Sequence, residues 1–128
     1  MGVAVQYLLV AIGGAFGAIS RFAVSNWLAE WLGSSLPYGT FAVNITGALF
    51  LGFIMTLATE QARVPSDVRL LIATGFIGAY TTFSTFTWES MQLLTHGRLW
   101  DGILNIGLSL LIGLLAILAG TVMARAIA

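Results

Sequence analysis

The stretch LLIATGFIGAYTTFSTFTWES, residues 70–90, decides the fold. No charge falls between Leu70 and Trp88. A helix that crosses the hydrocarbon of a bilayer needs roughly 20 mostly apolar residues, and this run supplies them. Gly75 and Gly78 lie in its middle, and Thr81 and Thr82 follow at once. Two glycines and then hydroxyl residues suited to capping a helix N-terminus predict a span that stops and restarts inside the membrane. Unwound backbone at that depth is tolerated only where protein buries it or where it lines a cavity. Function is therefore expected in this span before any other.

Working outward, residues 1–20, 31–59 and 102–124 are also free of charge. With the first stretch they predict four membrane spans, at about 5–27, 39–59, 70–94 and 103–123. The joining loops are short. One holds Gly33, Ser34 and Ser35, one holds Glu60, Arg63, Pro65, Asp67 and Arg69 and belongs in water, and one covers 95–101. The expected fold is all-α: one integral membrane domain over residues 1–128. Composition agrees, with 59% hydrophobic residues, 8% charged and a mean hydropathy of +0.97. A soluble domain carries about a quarter charged residues and cannot cover itself with so few. In span 1, Gly13-x-x-x-Gly17 and Gly14-x-x-x-Ala18 set small residues four apart, which lets two helix backbones approach closely in lipid. Met1-Gly2-Val3 lacks the positive start of a secretory signal, and Gln6 fails the myristoylation pattern. The first run is read as an uncleaved span.

Several function classes drop out. The net charge is zero and every basic residue is Arg, without the clusters that nucleic acid attracts. There is no Cys and only one His, so neither thiolate chemistry nor a His-cluster metal site is available. No glycine loop with a lysine, carboxylate pair within a span or Ser–His pair at a sensible depth supports catalysis. No enzymatic activity is expected.

The densest chemical signal is Thr81-Thr82-Phe83-Ser84-Thr85-Phe86-Thr87. Phe83 and Phe86, three apart, project from one face of the restarted helix, with hydroxyls between them. The edge of a phenyl ring is positive. Two such edges beside hydroxyl and amide hydrogens can replace the water around a small anion without a fixed charge to trap it. The bland reading is that both rings simply pack. Asn44 can donate its amide to an anion or bond another helix. The same ambiguity attaches to Asn105 and Ser109, which share a face of span 4 with Gly113. Arg21 is the only basic residue within a span, which marks it for function. It lies near its helix end, where snorkelling explains it equally well. Glu89, near the end of span 3, reads the same way. Carbonyls freed where a half-helix ends can ligate a hard cation such as Na⁺, or be satisfied by threonine hydroxyls or water.

These residues carry a resemblance. Gly13-Gly14-x-x-Gly17-x-x-x-Arg21-Phe22, Pro37-x-Gly39-Thr40-x-x-x-Asn44, Thr74-Gly75-Phe76-x-Gly78-x-x-Thr81-Thr82-Phe83-Ser84-Thr85-Phe86 and Gly97-Arg98 are similar to the Fluc fluoride channels, also called CrcB proteins. The likeness runs through all four spans in order, and the span 3 string is its most specific part. It implies a homodimer of four-span subunits inserted in opposite orientations, with paired fluoride pathways at the interface. It implies that Asn44, Phe83 and Phe86 contact fluoride, with Thr82 and Ser84 as adjacent polar candidates. It also implies a structural Na⁺ at the dimer centre, held by the carbonyls of Gly78 and Thr81, and a polar track on span 4 through Asn105 and Ser109. The third track position is Gly113, which has no side-chain donor. Ala79 and Tyr80 stand where relatives often have Gly and Leu. Arg21 takes a structural or vestibule role.

Two rival readings compete with this one. A small proton-coupled multidrug exporter also has four short spans, but it needs a titratable carboxylate in span 1, where this chain offers Arg21. A non-transporting membrane assembly subunit accounts for Asn44 and the glycine pairs as helix glue, but not for the hydroxyl–phenyl string. The expected function is passive, selective export of fluoride across a bacterial inner membrane, in contact with membrane lipid. Arg63, Arg69 and Arg125 fall on the side of the termini, against Arg98 and an outward-reaching Arg21 on the other. Orientation follows such bias, and this bias is small enough to predict dual topology.

Overall fold

A computed structural model describes residues 2–127, and all of their regular secondary structure is helical. Helix α1 (Val3–Leu32) is followed by α2 (Tyr38–Thr59). A third long rod, Ser66–Thr95, is composite. It consists of α3 (Ser66–Arg69), a π-helix (Leu70–Ile77), α4 (Gly78–Tyr80) and α5 (Phe83–Thr95). Helix α6 (Leu99–Ala126) completes the chain. These make four rods long and apolar enough to cross a membrane among the described residues, so this is a multi-pass membrane protein. At 1.5 Å per residue, the 30-residue α1 is about 45 Å long, more than the hydrocarbon needs.

The outer rods therefore overrun the spans read from charge. Helix α1 continues past 27 to Leu32, and α6 begins at Leu99 rather than 103. Glu30, near the end of α1, and Asp101, in the first turn of α6, do not end a helix; they only leave the lipid with it. What stops α1 is Gly33, whose φ of 79° leaves the helical region.

The burial pattern is that of a protein dissolved in lipid. Leu104, Leu111, Leu114 and Leu118 on α6 are all exposed, while the buried apolar residues reduce to a few such as Val43, Ile77, Phe86 and Leu93. Packing between rods relies on glycine. A Cβ at Gly13 would strike the carbonyl oxygen of Leu71, and one at Gly17 the carbonyl oxygen of Phe76. This is how α1 lies directly on the π-helix. In the same way Gly52 of α2 meets the Ile117 carbonyl and Gly120 of α6 meets the Leu49 carbonyl. Backbones this close gain dispersion contact that lipid chains cannot match.

The ends of α2 and α6 are tied in water. Arg125 donates to both carboxylate oxygens of Glu60, at 2.8 and 2.7 Å. Gln61 Nε2 donates to the Ala124 carbonyl at 3.0 Å, and Arg63 to the Ile127 carbonyl at 2.9 Å. At the other end, Arg98 pairs with Asp101 at 2.7 Å and donates to the Ser35 carbonyl.

Candidate functional site

Between α4 and α5 the chain leaves the helix for two residues. Thr81 (φ −85°, ψ 158°) and Thr82 (φ −150°, ψ 124°) are extended. Thr82 then caps α5, its Oγ1 accepting from the Thr85 N–H at 3.3 Å and donating to Thr85 Oγ1 at 3.1 Å. Gly75 and Gly78 are not where the helix gives way. Gly78 is itself helical (φ −60°, ψ −35°), and its N–H reaches back to the Ala73 carbonyl, five residues away. The glycines sit in or beside the wide π turn, and the threonines carry the interruption.

An interruption leaves main-chain groups without helical partners, and unpaired polar groups away from water are costly. Asn44 of α2 supplies the partners. Its Oδ1 accepts from the Thr82 N–H at 2.8 Å, and its Nδ2 donates to the Thr82 carbonyl at 3.0 Å. The amide thus stands in for a strand neighbour. Gly47, one turn further on, brings α2 so close that a Cβ there would strike Thr81 Cγ2. Beside it, Tyr80 donates its hydroxyl to Thr46 Oγ1 at 3.0 Å, because the single hydroxyl hydrogen of Thr46 is committed to the Ala42 carbonyl at 2.7 Å.

A cavity of about 250 Å³ opens at this point, walled by Asn44, Thr81, Thr82, Phe83, Phe86, Ser109 and Leu110. No ionisable side chain lines it. Five side chains expected from the sequence meet here: Asn44, Thr82, Phe83, Phe86 and Ser109. The two rings lie 6.1 Å apart between centroids and are tilted by 47°. Phe86 is 8% exposed, whereas Phe83 is 75% exposed and presents its ring outward. The buried hydroxyl of Ser109 has no hydrogen-bond partner among the described residues. Asn44 has spent one of its two amide hydrogens, and the other has no acceptor among the described residues. The cavity therefore brings neutral donors beside two phenyl rings, whose edges are positive. That set can partly replace the hydration of a small anion and still release it.

Other expected residues stand apart from it. Ser84 is exposed and outside the cavity wall, with its Oγ 3.5 Å from Thr82 Oγ1. Asn105 donates to Ser90 Oγ at 2.9 Å, one turn along the α5–α6 seam. Arg21 is half-exposed on α1 and forms no hydrogen bond or ion pair among the described residues. Sequence reasoning missed Ser90 altogether. It also missed a larger cavity of about 400 Å³ near the loop 33–37 end, where Ser25, Thr40, Glu89, His96 and Arg98 line one wall. One carboxylate oxygen of Glu89 is buried there without a partner among the described residues. Its signal was an acid inside a span, but a single sequence does not say which helix ends surround it.

Fold and site together define a small four-span membrane protein with an uncharged, largely apolar cleft that holds a few polar side chains. The family model described as CrcB-like protein, Camphor Resistance (CrcB), matches residues 8–121, and the chain belongs to that family. It is 45% identical to a fluoride-specific ion channel FluC of Acidobacterium capsulatum, over 95% of this chain and 98% of that one. It is 43% identical to one of Syntrophotalea carbinolica, over 91% and 94%. It is 42% identical to one of Maridesulfovibrio salexigens, over 95% and 97%.

Proposed function

We propose that this chain forms a passive, fluoride-selective channel that lowers cytoplasmic fluoride across a bacterial inner membrane. The observation that carries the reading is the neutral cavity at Thr81–Thr82, in a chain whose near full-length relatives bear the name fluoride-specific ion channel. Fluoride holds its water tightly, so its path must return those hydrogen bonds without a fixed charge that would hold the ion too long. In this reading Ser109 Oγ, the second amide hydrogen of Asn44 and the edges of Phe83 and Phe86 supply them. Thr82 and Ser84 are the adjacent hydroxyls; Asn105, which the resemblance puts on the polar track, stands one turn from Ser109 and bonds Ser90. Arg21 has a vestibule role. No bond of the ion is made or broken, so the protein is not an enzyme. Neutral hydrogen fluoride crosses lipid, ionises inside and is trapped. A membrane potential negative inside drives the anion back out with about 2.3 kcal/mol per charge per 100 mV.

The working unit of this reading is an antiparallel homodimer of oppositely inserted copies, with the interruption of the third span near the membrane centre. Phe83 lines the cavity yet is 75% exposed within its own subunit, so a second copy at that level would cover the rest of its ring. A Na⁺ held by the carbonyls of Gly78 and Thr81 belongs to the same reading. The donor set fits. The Thr82 N–H that would continue the helix to Gly78 goes to Asn44, and the Thr85 N–H that would serve Thr81 goes to Thr82 Oγ1. Oxygen dipoles freed in this way suit a hard cation. When bound, the ion would neutralise facing carbonyls and brace the dimer centre.

Purified protein in liposomes tests the function. Fluoride efflux without comparable chloride efflux, together with rescue of fluoride-sensitive cells, is the expected result. Equal permeation of chloride, or no rescue despite membrane expression, overturns it.

A further inference from the structure

We propose that Ser90 and Asn105 form a pin that fixes the width of the ion path and so sets its selectivity, Ser90 acting as a positioning residue for Phe86. Ser90 lies on α5, is 3% exposed and touches neither cavity. Its hydroxyl donates to the Phe86 carbonyl at 2.7 Å. With its one hydrogen used there, it can only accept from Asn105 Nδ2, at 2.9 Å. The chain of bonds therefore runs from α6 through Ser90 to the main chain of Phe86.

The geometry gives this pin its effect. Helices α5 and α6 run antiparallel, with Leu94 against Gly102 and Ser90 against Asn105. One turn back along α5 from Ser90 is Phe86, and one turn forward along α6 from Asn105 is Ser109. Phe86 and Ser109 both line the small cavity, and the Ser109 hydroxyl has no partner among the described residues. The rung next to the ion thus pairs an apolar ring with a free hydroxyl, and no hydrogen bond joins the two helices there among the described residues. The rung beside it is the polar pin. Without the pin, the ring and the hydroxyl separate, and a wider gap admits a larger anion.

The inference rests on the channel reading, and the same liposome assay separates the two. No fluoride flux from the wild-type protein removes both. Given that flux, Ser90→Ala is expected to lower the fluoride-over-chloride permeability ratio by about fivefold, the factor that one interhelical hydrogen bond represents, and Ser90→Thr to restore it. Asn105→Ala should give the same fall, and the double variant should fall no further. A ratio unchanged in both single variants overturns the pin even if total flux drops, because loss of packing reduces the working protein and not its selectivity. Falls that multiply in the double variant also overturn it, since Asn105 then meets the ion directly. If Ser90→Ala does not assemble, the ratio in Asn105→Ala decides: a fivefold fall supports the pin and no change refutes it.

Discussion

Phe83 and Phe86 are three residues apart and chemically identical, yet their burial separates the effects of the same substitution. Phe86→Ile removes the ring edge and also leaves a gap in packed surroundings, since Phe86 is 8% exposed. Fluoride flux should fall at least tenfold and stability by about 1 kcal/mol. Phe83, 75% exposed in the single subunit, should lose the same flux on change to Ile with no loss of subunit stability. Flux assays beside thermal unfolding in detergent check both, and normal conduction by the two variants would reduce the rings to packing. Asn44→Leu should lower flux more than either, because it strips the partners of the Thr82 N–H and carbonyl together. Much of this cavity was legible in the sequence because helical spacing alone puts Phe83 and Phe86 on one face. Spacing does not give a partner's direction, so it placed Asn105 beside Ser109 without showing that Ser90 takes its amide. Ser90 carried no signal at all, being one hydroxyl near the end of a span.

Among the elements, the rods were legible as charge-free runs, but their ends were not, since a helix that leaves lipid has no reason to stop at the first charge. The π-helix was not legible, because its sequence, Leu70–Ile77, reads as ordinary apolar helix. The glycines that seat α1 on it were. Gly17→Val should block assembly, since the new side chain meets main-chain oxygen of Phe76 that cannot swing aside. The cost is about 3 kcal/mol or more, and size-exclusion profiles should show aggregate in place of a single species. A gentler test concerns the tie between the ends of α2 and α6. The hydrogen bonds from Arg125, more than its charge, hold the Glu60 carboxyl below the usual carboxylate range, with desolvation opposing them. A pKa depressed in the folded state stabilises the fold above the unfolded carboxylate value and loses that contribution as pH falls through the folded value. Glu60 is exposed in water, so the effect is small and weakened by salt. Thermal midpoints should drop slightly more on acidification in the wild type than in Arg125→Gln, and the difference should shrink at high salt.

On the scale of the whole molecule, the proposed antiparallel pair depends on a charge balance that leaves insertion undecided. Arg63, Arg69 and Arg125 lie toward the end with the termini, and Arg98 toward the other. Arg125 is held by Glu60 and Arg98 by Asp101, but acids contribute little to orientation, so the count of arginines is what matters. Such a weak bias can be overridden. Two lysines added to the loop of Gly33–Ser35 should drive every copy to one orientation, and two added after Ala126 to the opposite one. If the path is completed only between oppositely inserted copies, each variant expressed alone should reach the membrane and fail to protect fluoride-sensitive cells. Expressed together they should restore protection, because each supplies the orientation that the other lacks. In the proposed pair Phe83 marks where the two copies meet, since most of its ring is uncovered in its own subunit. Reporter fusions after the last helix check the orientations, and cell growth in fluoride checks the function. Full protection by either fixed-orientation variant alone would mean that a single orientation suffices, and the antiparallel pair would have to be abandoned.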